Sequence, residues 1–153
     1  MNRNIKIVLA SFLFCFVAAS IGFAIFKESR PSAQASSPAL SHSTTVYYFH
    51  GNARCPSCYK IEAYTAETIN SRFAEMLRNG SLSWQIVNID EMANIHFISD
   101  YNLYTKSVVL VEMKDGKQVR WKNLERIWDL LKDQAQFAQY IEGEVKTFLA
   151  TND

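Results

Sequence analysis

Hydrophobic positions fall into three regimes along the chain. From Ile7 to Phe26 they run almost unbroken, twenty residues without a charge, with Arg3 and Lys6 before them and Lys27, Glu28 and Arg30 after. As a helix this run is about 30 Å long, enough to cross the hydrocarbon core of a bilayer. From Ser29 to Ser43 the pattern dissolves into serine and alanine with Pro31 and Pro38, the composition of a flexible tether. From Thr44 to about residue 150 apolar residues return in short runs and at helical spacing, a length suited to one small α/β domain. The expected organisation is therefore a membrane anchor or signal segment over 1–28, a linker over 29–43 and a folded domain over 44–150.

Within that domain the periodicity switches repeatedly. Thr44 to Phe49 is β-branched and aromatic and reads as a buried strand, ending at the loop signal His50-Gly51-Asn52. After Pro56, a residue favoured in a first helical turn, Ile61, Tyr64, Thr68, Ile69, Phe73, Met76 and Leu77 keep helical spacing until Asn79-Gly80. Leu82 to Ile89 reads as a second strand, Asp90 as the cap of a helix over 91–101, and Ser107 to Met113 as a third strand. Lys114-Asp115-Gly116-Lys117 turns the chain into a fourth strand, Gln118 to Lys122. The tail reads as helical, first through Leu124, Ile127, Trp128 and Leu131, then from a cap at Asp133 through Phe137, Ile141, Val145 and Phe148. The predicted order is β-α-β-α-β-β-α. A helical crossover makes the first two strands parallel and the terminal hairpin antiparallel, so the sheet is mixed and four-stranded, with helices expected to cover both faces. Trp84, Trp121 and Trp128 fit packing positions in this scheme.

Arg3 and Lys6 tend to keep the amino-terminal flank on the cytoplasmic side, which carries everything beyond residue 26 across the membrane. Two outcomes follow. An uncleaved segment leaves a single-pass protein with an extracytoplasmic, periplasmic domain; the small-residue site Ala33-Gln34-Ala35 would instead allow cleavage near Ala35 and secretion. The net charge of +1 gives no electrostatic reason for a nucleic acid partner. No glycine fingerprint for a nucleotide is present, and no cofactor is expected.

Cysteine supplies the candidate chemistry. Cys15 lies in the apolar run and reads as a packing residue, whereas Cys55-Pro56-Ser57-Cys58 places two thiols at the start of a helix. A thiol attacks as its thiolate, and the unpaired N–H groups and partial positive charge of a helix N-terminus stabilise that form. Arg54 and Lys60 would add to this if they point at the sulfur. Cys55 is expected to attack and Cys58 to resolve the resulting mixed disulfide. Two other uses stay open: a site for a soft metal or metalloid, with His50 as an assisting ligand, and a passive structural bridge. A closed structural zinc site would need four ligands, and no second C-x-x-C is present. His50 is also a candidate proton shuttle.

A C-x-x-C after the first strand, opening the first helix of a β-α-β-α-β-β-α chain, resembles thioredoxin over nearly all of residues 44–150. Thioredoxins carry a tryptophan before the first cysteine, Gly-Pro between the pair, a buried acid on the first strand and a cis-proline before the third. Here those places hold Arg54, Pro56-Ser57, Phe49 and Ser107, which implies a narrower partner range than a general reductase. The segment His50-Gly51-Asn52-Ala53-Arg54-Cys55-Pro56-Ser57-Cys58-Tyr59-Lys60-Ile61-Glu62, together with Leu103-Tyr104-Thr105, is similar to a bacterial family of small thioredoxin-like proteins known as nitrophenyl-compound nitroreductase subunits. That resemblance implies a thiol relay to a protein partner, such as a membrane electron-transfer permease, or a part in nitroaromatic or arsenical detoxification.

Overall fold

The computed structural model describes residues 42–151. Four strands and four helices follow in order: β1 (His42–His50), α1 (Pro56–Arg72), α2 (Ala74–Asn79), β2 (Leu82–Asn88), α3 (Phe97–Asp100), β3 (Ser107–Lys114), β4 (Lys117–Asn123) and α4 (Gln134–Ala150). The sheet order is β2-β1-β3-β4, with β1 parallel to β2 and antiparallel to β3, and β3 antiparallel to β4. This is the mixed, helix-flanked α/β arrangement of a thioredoxin-like fold. The anchor expected over residues 7–26, the cleavage site near Ala35 and the body of the 29–43 tether lie outside the described residues. Among the described residues no helix is long and apolar enough to cross a membrane.

β1 occupies a central position, and its alternation divides the core in two. Val46 and Tyr48 face the long helices with Leu82, Val108 and Leu110, against Ile61 and Ile69 of α1 and Phe137, Ile141 and Val145 of α4. Each of those fully buried apolar side chains contributes roughly 1.5–3 kcal/mol relative to exposure. Tyr64 and Phe137 lock the two helices edge to face, ring centroids 5.6 Å apart. Tyr47 and Phe49 point the other way and join Phe97, Tyr101, Leu103, Val109 and Val111 in a second, aromatic cluster.

Several expectations are corrected. The first strand begins at His42, not Thr44, because His42 and Ser43 pair with Lys114 and Met113 of β3. The helix expected to run to Asn79 breaks at Phe73, whose backbone leaves helical geometry (φ −125°, ψ 24°) as its ring turns into the core; the helical spacing of Met76 and Leu77 continues in α2. Gly80 then closes α2 in the left-handed conformation, φ 79°. The helix expected over 91–101 is a run of turns ending in the four-residue α3. Asp90 caps nothing there: its carboxylate accepts instead from the backbone N–H of Asn52, 2.6 Å away across the loop. Helices therefore do not cover both faces equally: both seventeen-residue helices pack on one, and the other is closed by α3 and its flanking turns. The helix expected around Leu124–Leu131 is a single 3-10 turn, Glu125–Ile127. Asp133 does cap α4, accepting from Ala135 and Gln136 at 3.0 Å. Trp84, Trp121 and Trp128 pack against the two clusters from their edges, only partly buried.

Candidate functional site

β1 delivers the chain to the site. It is held in place by β2 and β3, and its last residue, His50, carries its carbonyl to the N–H of Ile89 at 2.8 Å. The loop that follows is stitched to the end of β2: Asn88 Nδ2 donates to Asn52 Oδ1 at 2.8 Å, and the Asp90 carboxylate presses against Gly51. A Cβ on Gly51 would lie 2.8 Å from Asp90 Oδ2, so a larger residue here has to displace the carboxylate that accepts from Asn52 N–H.

Cys55 is the N-cap of α1, in extended conformation (φ −97°, ψ 165°), and Pro56 occupies the first turn. The two cysteines cap the helix reciprocally: Cys58 N–H donates to Cys55 Sγ at 3.3 Å, and Cys55 N–H donates to Cys58 Sγ at 3.1 Å. The pair is closed as a disulfide with its Cα atoms 5.1 Å apart. No acidic residue lies in the first turn, so nothing there opposes a negative charge on Cys55. The two sulfurs are inequivalent. Cys55 is exposed and Cys58 is fully buried.

Beneath the pair lies a group that strand periodicity marked only as core. The Tyr48 hydroxyl donates to the Cys58 carbonyl at 2.8 Å, anchoring the first turn of α1 to β1, and burial pushes the phenol pKa up to about 12. It is a fixed hydrogen-bond donor at neutral pH. Arg54 departs from expectation. Its guanidinium is turned to Glu62, two turns along α1, and lies over the ring of Tyr59 at 4.4 Å and that of Tyr48 at 6.0 Å. Although burial works against its charge, the Glu62 carboxylate raises the Arg54 pKa above its ordinary value. Lys60 is exposed.

Beside the loop leading to Cys55 runs a groove of about 200 Å³, lined by His50, Gly51, Ala53, Leu103, Tyr104 and Lys106 among others. His50 donates from Nδ1 to the Gly51 carbonyl at 3.0 Å, which fixes the orientation of its ring at the end of β1. The far wall is the stretch before β3. Ser107 is buried and donates to the Thr105 carbonyl at 2.9 Å, the Lys106 carbonyl accepts from the indole of Trp128 at 3.0 Å, and the peptide before Ser107 is trans. Tyr104 stands clear of the surface, 94% exposed. Among the described residues no three His, Cys, Asp or Glu side chains gather as a metal-binding group. Tyr48, Glu62 and Tyr104 are residues of this neighbourhood to which motif spacing assigned no role, and Asp90 was read as a helix cap instead. A tyrosine on the buried face of the strand entering the motif was the one usable signal, since a buried phenol needs a partner.

No family model and no curated protein matches the chain. Among solved structures it is similar to the oxidised thioredoxin from Plasmodium falciparum, at 14% identity over 67% of this chain and 81% of that one, with a TM-score of 0.40. It is likewise similar to thioredoxin O2 from Arabidopsis thaliana in its oxidised state, at 20% identity over 75% and 88% of the two chains and a TM-score of 0.38. For Trxlp from Edwardsiella tarda the figures are 14% identity, 72% and 92% coverage and 0.41. These likenesses are too distant to add to what strand order and register already establish about the fold.

Proposed function

We propose that the chain is a thiol–disulfide oxidoreductase, or an electron relay working by the same exchange, with Cys55 attacking and Cys58 resolving. The observation that carries this reading is the asymmetry of the pair: an exposed sulfur at the helix N-cap, facing the N–H of Cys58, and a fully buried one behind it. In the reducing direction Cys55 thiolate attacks one sulfur of a partner disulfide, forming a mixed disulfide and releasing a partner thiolate that takes up a proton. Cys58 thiolate then attacks Cys55 Sγ, closes the bridge and expels the second partner thiolate, which is protonated in turn. Two electrons leave the dithiol and the partner is reduced; the reverse sequence oxidises a partner dithiol.

The partner in this proposal is a membrane or extracytoplasmic protein, such as an electron-transfer permease. It is supported by the apolar run Ile7–Phe26, read as an anchor that leaves the domain periplasmic, with secretion after cleavage near Ala35 as the alternative. A contribution to nitroaromatic or arsenical detoxification rests on the sequence resemblance around Cys55. The test is the reduction potential of the pair in the metal-free full-length protein, equilibrated in dithiol and glutathione buffers and read by mass. A reversible two-electron couple between roughly −270 and −120 mV supports the relay, and a bridge resisting reduction below about −300 mV marks it as structural. Thiols that never bridge would favour soft-metal delivery through the same two sulfurs. In cells, Cys58→Ala should trap the partner on Cys55, and Cys55→Ala should trap nothing.

A further inference from the structure

Arg54 immediately precedes the attacking cysteine, yet its charge is engaged elsewhere. The guanidinium lies over Tyr59 and Tyr48, pairs through Nη2 with Glu62 Oε2, and leaves its buried Nε without a hydrogen-bond partner among the described residues. Arg54 and Glu62 are each largely shielded, with side-chain exposures of 20% and 24%, so the pair is held by packing as well as by charge. Glu62 sits seven residues beyond the N-cap, about 10 Å along the helix axis. The charge of the arginine is thus paired with Glu62 while its guanidinium stays against Tyr48, whose hydroxyl meets the Cys58 carbonyl in the first turn of α1. We propose that Glu62 is a positioning residue that neutralises Arg54 beside the first turn of α1, so that the Cys55 thiolate meets a paired rather than a lone arginine and the dithiol–disulfide couple is more reducing than the bare sequence Arg-Cys-Pro-Ser-Cys would make it.

The electrostatics fix the direction. A thiolate with an unpaired cation nearby is stabilised, and stabilising the reduced form of a dithiol couple makes its disulfide the stronger oxidant. With Glu62 present, the field of the pair at Cys55 is that of a dipole with little net charge. Glu62→Gln leaves a full positive charge on a side chain released from its clamp, and Arg54→Gln leaves a full negative charge two turns from the sulfur. The two single changes therefore act with opposite sign, and the double change restores neutrality. The tyrosines contribute to the same device: Tyr59 supplies the face on which the guanidinium rests, and Tyr48 links that position to the Cys58 carbonyl.

This inference rests on the thiol-exchange reading, but its test does not depend on a working potential. The full-length protein and the variants Glu62→Gln, Arg54→Gln and Arg54→Gln/Glu62→Gln are chemically reduced, and the Cys55 thiolate is titrated by its ultraviolet absorbance and by the pH dependence of iodoacetamide alkylation. Glu62→Gln is expected to lower the Cys55 pKa by about one unit and to shift the equilibrium with glutathione toward the dithiol. Arg54→Gln should raise the pKa by a smaller amount, and the double variant should return to within about 0.3 unit of the parent, a coupling that independent effects would not give. Thermal unfolding of each variant identifies any that fail to fold, and Glu62→Asp, which keeps the charge, should behave as the parent. An unchanged pKa in Glu62→Gln overturns the proposal. So does a large rise in Arg54→Gln that persists in the double variant, since that would mean Arg54 already serves the thiolate. A parent bridge that cannot be reversibly reduced in the glutathione equilibration counts against the proposed function and leaves the comparison of titrations to stand or fall by itself.

Discussion

At the end of the sheet remote from the cysteines, one buried carboxylate holds three parts of the chain. Glu112 on β3 is 4% exposed and accepts from His42 Nε2 on β1 and Arg120 Nε on β4, while Arg120 continues to the Phe148 carbonyl and the Thr151 hydroxyl at the end of α4. Replacing Glu112 with Gln keeps the shape but exchanges an ionised acceptor for a neutral one. Hydrogen bonds to charged groups contribute about 1.5–3 kcal/mol each and neutral ones roughly half that, so two weakened bonds cost about 1.5–3 kcal/mol. Against the roughly 5–15 kcal/mol expected of a domain this size, that is a large share. The assay is urea unfolding of parent and variant, where a slope of about 1–2 kcal/mol per molar converts the loss into a midpoint lower by roughly 1–3 M. The pH dependence carries a sign. Burial alone would pull the Glu112 pKa up, but the hydrogen bonds and charges of Arg120 and His42 outweigh it and hold the carboxyl below its ordinary value. A carboxyl lowered on folding contributes stability above its unfolded pKa of about 4.3 and loses it as pH falls through the folded value. The difference between parent and variant should therefore be full at neutral pH and shrink below about pH 4. A Gln variant equal to the parent at neutral pH, or a difference that persists unchanged in acid, would refute the reasoning.

Two further outcomes follow from the geometry around the motif. Tyr48→Phe removes the donor to the Cys58 carbonyl and should cost about 1 kcal/mol, read as a melting temperature lower by roughly 4–8 °C; an unchanged transition would mean that the 2.8 Å contact contributes nothing net. Gly51→Ala forces the Asp90 carboxylate aside and should cost about 1–2 kcal/mol, and combining it with Asp90→Ala should recover part of the loss, because the clash is with that side chain; simple additivity would show that the strain lies elsewhere.

Strand placement was legible because β-branched and aromatic runs bounded by Gly, Asn and Asp signals have few other uses, and the parallel and antiparallel pairings followed from the lengths of the connections. Helix extents were less legible where a tertiary demand outweighed local pattern. Phe73 kept the spacing of a continuous helix, but filling the core with its ring cost the helix a residue. Ahead of α3, Asp90 looked like a cap and was taken by a backbone N–H thirty-eight residues back in the chain, while within 91–101 Met92, Ile95 and Ile98 are exposed and Phe97 and Tyr101 reach the aromatic cluster. The cysteine pair was visible as a motif, and its N-cap position followed from Pro56. The destination of Arg54 was not visible, because a side chain outside the helix can reach a partner eight residues on, a spacing no periodicity rule connects.

The strand that carries the chain to Cys55 also fixes the polarity of the domain. His42 and Thr151, the first and last of the described residues, meet at the Arg120–Glu112 knot, whereas the sulfur pair follows the opposite end of the nine-residue β1, about 26 Å away. An attachment made through residue 42 or residue 151, to a resin, a gold surface or a fusion partner, therefore enters at one pole and leaves the other unobstructed. For a domain immobilised on an electrode through residue 42 or residue 151, this arrangement means that the chemistry would face the solution. It also makes a short link between residues 151 and 42 a feasible circular permutation, with new ends placed in one of the exposed turns.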